Sequence, residues 1–83
     1  MTPPTVTLYG KAGCCLCDDA KRAIEQVRQT RPFHYDEIDV SLDPVLHARY
    51  GERIPVVALA GEEVFEYHVD PLELERLLDT VRG

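Results

Sequence analysis

Thr5-Val6-Thr7-Leu8-Tyr9 alternates polar and apolar side chains of β-favouring type, and Gly10-Lys11-Ala12-Gly13 follows with turn residues, which predicts a strand running into a loop. From Cys14 the period changes. Leu16, Ala20, Ala23, Ile24 and Val27 fall on one helical face while Asp18, Lys21, Arg22, Glu25 and Arg28 cover the other, predicting an amphipathic helix to about Gln29. Pro32 opens a second extended segment over 33–40. Phe33 and Tyr35 do not share parity with Ile38 and Val40, so a bulge or a late strand start is expected there.

Asp43 ahead of Pro44 reads as an N-cap before a first-turn proline, and Gly51 after Tyr50 as the terminator of a short helix. Ile54-Pro55 leads into an apolar run over 56–60, as expected of a central strand covered on both faces. Gly61 and Glu62 turn the chain into 63–68, whose natural pairing is a hairpin with that strand. Asp70-Pro71-Leu72-Glu73 combines an N-cap, a proline and the acidic partner of a capping box, and Leu74, Leu77, Leu78 and Val81 give the last helix a buried stripe. The order is β-α-β-α-β-β-α. A β-α-β unit needs parallel strands joined by a right-handed crossover, whereas the closing hairpin is antiparallel. The fold class is therefore α/β, a four-stranded mixed sheet flanked by three helices in a single domain over 1–83.

With 83 residues the chain supports one hydrophobic core. Nine Lys and Arg against fifteen Asp and Glu leave a formal charge of −6, which opposes unspecific binding to phosphate backbones and anionic lipid, so neither nucleic acid nor membrane is expected as a partner. The longest mostly apolar run, 54–60, falls far short of the ~20 residues a bilayer span requires. No basic residue precedes Lys11 and no apolar stretch of the signal-peptide kind follows, which predicts a cytoplasmic protein, expected to act as a monomer.

Cys14, Cys15 and Cys17 lie too close together to staple distant segments, so they mark a local chemical site. Cys14-Cys15-Leu16-Cys17 is a C-x-x-C motif where a glycine-containing loop hands over to a helix. Unpaired N–H groups and the helix dipole favour negative charge at that position, which makes Cys14 the candidate nucleophile. Residues three apart share a helical face, with β-carbons about 5–6 Å apart, so Cys17 is the candidate resolving thiol. Cys15 sits about 100° around the helix and a bridge to its neighbour would be strained, which leaves it a bystander. The residues alone leave two other readings open. The thiols could be metal ligands completed by His34, His47 or His68, although no second C-x-x-C or H-x-x-x-H occurs, or they could be buried core thiols. A phosphatase-type loop is excluded, because the position six after each cysteine holds Ala20, Lys21 or Ala23 in place of arginine.

With this element order, a C-x-x-C at a helix start and an Ile-Pro before the third strand, the sequence resembles the thioredoxin fold. More narrowly, Leu8-Tyr9, Lys11, Gly13, Cys14, Leu16, Cys17, Asp18 and Tyr50-Gly51-Glu52-Arg53-Ile54-Pro55-Val56 resemble the small glutaredoxin-like bacterial proteins. The resemblance implies thiol-disulfide oxidoreductase activity on protein disulfides or glutathione mixed disulfides. It implies no tightly bound cofactor, with glutathione as reductant. In its terms Cys14 attacks and Cys17 resolves, Lys11 stands three residues before the nucleophile, and Pro55 is a cis-proline. The Ile54 backbone pairs with an extended thiol peptide in a form of strand addition, and Asp70 meets the glutathione amine. Apart from the resemblance, Lys11, Arg49 and Arg53 are the candidate carboxylate anchors, with solvated surface charge as the default reading of all three. Two positions depart from the family pattern: Cys15-Leu16 replaces Pro-Tyr between the cysteines, and Tyr67-His68-Val69 stands where a Gly-Gly pair is usual. The alternative is a thioredoxin-fold binding module whose cysteines hold a metal or an iron–sulfur cluster, or a redox sensor in which Cys15 exchanges partners with Cys14.

Overall fold

A computed structural model describes residues 3–82. The elements run β1 (Thr5–Gly10), α1 (Cys15–Arg28), β2 (His34–Asp39), a 3-10 turn (Val40–Leu42), α2 (Pro44–Tyr50), β3 (Val56–Leu59), β4 (Glu62–Glu66) and α3 (Pro71–Arg82). The four strands form one sheet in the order β2-β1-β3-β4. β1 pairs with β2 in parallel and with β3 in antiparallel, and β3 pairs with β4 in antiparallel.

Side-chain alternation on β1 divides the core. Val6 and Leu8, opposite Leu59 and Val57 on β3, face the helix pair α1 and α3, where Ala20, Ile24, Val27, Leu74 and Leu78 complete the larger cluster. Val56 and the partly buried Tyr9 point to the other face, where Val40 and Tyr50 form a smaller cluster under α2. The rings of Tyr9 and Tyr50 stack with centroids 4.2 Å apart.

Several local expectations change in the structure. The second extended segment starts at His34, and its parity break needs no bulge, since β2 carries apolar residues on both faces, Tyr35 level with Val6 and Ile38 level with Tyr9; Val40 leaves the strand to be buried from the 3-10 turn. The hairpin turns at Ala60-Gly61, both with positive φ of 53° and 87°, in place of Gly61-Glu62. Gly51 ends α2 with an ordinary right-handed φ of −54°. A β-carbon there would stand 2.5 Å from the His47 carbonyl oxygen, so the residue serves close approach and no left-handed cap is made. Leu16 is exposed and Cys17 takes its place in the buried stripe of α1, one turn ahead of Ala20 and two ahead of Ile24. In α3 burial stops at Leu78, and Val81 in the last turn is exposed. Glu73 pairs with Arg76 and closes no capping box onto Asp70.

Candidate active site

The strand directions gather the site at one end of the sheet. β1 and β2 finish there, with Gly10 level with Asp39, and the loop 11–14 leaves from Gly10. β3 runs the opposite way, so its first residue, Val56, pairs with Tyr9 and brings Pro55 to the same end. The last residue of β4, Glu66, lies opposite Val56, which brings the segment 67–70 there as well.

Gly13 takes a φ of +79°, which reverses the chain just before Cys14. Cys14 then adopts extended backbone, φ −92° and ψ 114°, as the N-cap of α1. Its sulfur fills the role an oxygen usually plays at an N-cap, accepting the Cys17 backbone N–H at 3.2 Å. A donor aimed at sulfur from the positive end of a helix stabilises charge developing there. Cys14 is half-buried, Cys15 is exposed and Cys17 is buried, and all three are free thiols.

Cys17 lies against β1. Burial pushes its thiol up to about 11, with the hydrogen bond to Cys14 acting in the same direction and the Lys11 backbone N–H acting against both. Beside it opens a cavity of about 250 Å³ lined by Leu8, Gly10, Lys11, Ala12, Lys21, Glu37, Ile38 and Asp39. Glu37 and Asp39 both face α1, because they sit level with Leu8 and Gly10 in the parallel register. Glu37 is held between the Tyr35 hydroxyl at 2.9 Å and Lys21 at 3.3 Å. Asp39 is held below the usual carboxylate range, first by the hydroxyl and N–H of Ser41 and then by the Ala12 N–H and the Lys11 charge. It thereby ties the cysteine loop to the end of β2.

The other predicted residues fall at the same end with differing surroundings. Lys11 is exposed at the cavity edge. The Ile54–Pro55 peptide is cis, and the Pro55 carbonyl accepts the Tyr67 N–H at 2.8 Å. Asp70 caps α3, its carboxylate accepting the Leu72 N–H at 3.0 Å. Arg53 turns toward β4 and contacts Glu63 at 2.9 Å, Glu66 at 2.6 Å and the Arg49 carbonyl at 3.2 Å, with its guanidinium 5.4 Å from the Tyr50 ring centroid. A register shift in the β3–β4 ladder makes this arrangement, since it puts Glu63 and Glu66, opposite Ala58 and Val56, on one face. Among the described residues no group of three His, Cys, Asp or Glu side chains is arranged to hold a metal ion, and no helix is long and apolar enough to cross a membrane.

Sequence reasoning missed Gly10, Glu37 and Asp39. A β-carbon on Gly10 would meet the Cys17 sulfur at 2.8 Å, and this contact depends on how α1 packs on β1. Glu37 and Asp39, two apart on one strand, share a face by alternation alone, but that this face is the one toward Cys17 follows only from the register.

A mixed four-stranded sheet with a dithiol at the first helix start and a cis-proline at the same end of the sheet defines a thioredoxin-fold protein. A family model described as a glutaredoxin-like domain (DUF836) matches residues 5–79, and the chain belongs to that family. An uncharacterized protein of Mycobacterium tuberculosis is 33% identical over 75 residues, covering 84% of this chain and 77% of that one. Among solved structures, a structural-genomics target from X. campestris is 32% identical with a TM-score of 0.74, covering 90% of this chain and 96% of that one. A protein of Nitrosomonas europaea superposes with a TM-score of 0.79 at 22% identity, covering 93% of each chain. A mutant thioredoxin from Halobacterium salinarum reaches 0.70 at 23% identity, covering 95% of this chain and 74% of that one.

Proposed function

We propose that the protein is a dithiol thiol-disulfide oxidoreductase acting on disulfides of proteins or of glutathione. The Cys14 sulfur, as thiolate, attacks one sulfur of the substrate disulfide. A new S–S bond forms, the substrate S–S bond breaks, and the first substrate thiolate leaves. Cys17 then gives up its proton and attacks the Cys14 sulfur, expelling the second substrate thiolate and leaving a Cys14–Cys17 disulfide. Two electrons pass from the protein to the substrate, and two equivalents of a small thiol such as glutathione restore the dithiol.

The observation that carries this reading is the Cys17 N–H donated to the Cys14 sulfur at 3.2 Å. It sets the two residues one helical turn apart with a charge-stabilising donor on the first. Their unequal exposure supports the order of the two attacks. A partner can reach the half-buried Cys14, while the buried Cys17 is available to a sulfur already attached to Cys14. The test is a pair of variants. Cys14→Ser is expected to abolish disulfide exchange, and Cys17→Ser to accumulate a mixed disulfide visible as an added mass on the intact protein. A fully active Cys14→Ser variant overturns the assignment.

A further inference from the structure

Six large apolar residues are exposed among the described residues: Leu16, Leu42, Val45, Tyr67, Leu72 and Val81. Scattered singly such residues need no explanation, but here the topology collects five of them. Leu16 lies in the first turn of α1, beside the cysteines. Leu42 and Val45, 82% and 74% exposed, follow the end of β2. Tyr67 and Leu72, the latter 74% exposed, follow the end of β4. Only Val81 belongs elsewhere, in the last turn of α3. With the strand order β2-β1-β3-β4, Leu42 and Val45 stand on one flank of the cysteine loop, and Tyr67 and Leu72 on the other.

The separation of the flanks bears on what can cover them. Three strand spacings of about 4.8 Å put the ends of β2 and β4 about 14 Å apart. Glutathione, lengthened by its γ-glutamyl link to roughly 13 Å when extended, reaches from one flank to the other only if fully stretched between them, whereas a longer protein segment covers both with slack. Tyr67, on the second flank, lies beside the cis-proline. Its N–H bonds the Pro55 carbonyl and its hydroxyl reaches the Glu52 carbonyl at 3.4 Å, so the side chain lies along the segment 52–55.

Charge at this end has one dominant sign. All three helices start here, and Asp18, Asp43 and Asp70 in or next to their first residues make no ion pair among the described residues. On the basic side Lys11 stands near Asp39, Arg53 is taken up by Glu63 and Glu66, and Arg49, 5.4 Å over the Tyr50 ring, is set against the three aspartates as a cation that makes no ion pair among the described residues. Such a rim repels glutathione, whose two carboxylates outnumber its one ammonium, and attracts a basic surface.

Resting on the thiol-disulfide reading above, we infer that the substrate is a disulfide in a protein segment with apolar and basic side chains, taken in preference to glutathione disulfides. The apolar residues on both flanks bind it, and the acidic rim sets its sign.

The test compares rates of oxidation of the reduced protein by four disulfides. They are hydroxyethyl disulfide, oxidised glutathione, and two disulfide-linked peptides of equal length, one flanked by Leu and Lys and the other by Leu and Glu. The basic peptide is expected to react about tenfold faster than the acidic peptide and oxidised glutathione at low salt, with the gap narrowing at high salt. The double variant Leu42→Ser/Val45→Ser is expected to lower the ratio of the basic-peptide rate to the hydroxyethyl disulfide rate, while Val81→Ser leaves that ratio in place. Equal rates for the two peptides, or oxidised glutathione as the fastest substrate, overturn the inference and leave the oxidoreductase reading standing. Failure to react with any of the four overturns that reading and this inference with it.

Discussion

Gly10, the last residue of β1, stands so close to Cys17 that a β-carbon on it would lie 2.8 Å from the Cys17 sulfur and 3.4 Å from its β-carbon. The contact joins the strand to the first turn of α1. A cysteine side chain has one rotatable bond before its sulfur, so an added methyl group must displace either that thiol or the helix turn that carries it. Gly10→Ala is therefore expected to destabilise the reduced protein by about 1–3 kcal/mol, the usual cost of overpacking. Urea denaturation measures it, and an unchanged midpoint would show that the turn relaxes freely.

The same thiol makes stability depend on alkaline pH. Burial raises Cys17 from its ordinary value of 9.0 to about 11, so the folded state favours the protonated form. Its contribution is fully present below about pH 9 and is lost as the pH rises toward 11, because the unfolded chain ionises first. Tyr9 and Tyr35 are raised too, chiefly by burial, and act with the same sign. The Cys17 part is isolated by comparison with Cys17→Ser, whose denaturation midpoint should fall less steeply over pH 9–11 than that of the reduced native protein.

Arg53 fastens the segment before Pro55 to β4 through Glu63 and Glu66 and lies over Tyr50. Exposed ion pairs are individually weak, but one guanidinium serving two carboxylates, a carbonyl and a ring forms a network. Arg53→Ala is expected to lower the thermal midpoint by a few degrees, less at high salt. A calorimetric midpoint unchanged from the native protein would mean that the network contributes nothing.

The end of the buried stripe on α3 separates two substitutions of similar chemistry. Leu78 is fully buried between the sheet and α1, so Leu78→Ala should cost about 2–5 kcal/mol. Val81 is 49% exposed, and Val81→Ala should stay within about 0.5 kcal/mol. Equal losses in chemical denaturation would place Val81 in the core after all.

Much of the architecture was legible because its signals are local. The alternation in β1, the Asp43-Pro44 and Asp70-Pro71 starts and the apolar run of β3 each act within a few residues, and each element formed where its pattern lay. Errors gathered where neighbouring residues compete. Leu16 and Cys17 stand about 100° apart on either side of the Ala20, Ile24 and Val27 stripe, and the greater hydrophobicity of leucine pointed to the wrong one. At the hairpin the local preference is for Gly61-Glu62, because alanine seldom takes a positive φ, and the register of β3–β4 places the turn at Ala60-Gly61 instead.

By itself the sequence determined the order of strands and helices and the cysteine pair at the start of α1, since periodicity, capping and turn chemistry are encoded by neighbouring residues. Only the tertiary structure decided what surrounds that pair. The parallel register of β1 and β2 brings Glu37 and Asp39 to the cavity beside Cys17, the packing of α1 on β1 sets Gly10 under its sulfur, and the bulged β3–β4 ladder turns Arg53 to Glu63 and Glu66. Contacts between segments tens of residues apart depend on a shift of one residue in strand pairing, which moves a side chain to the opposite face of the sheet.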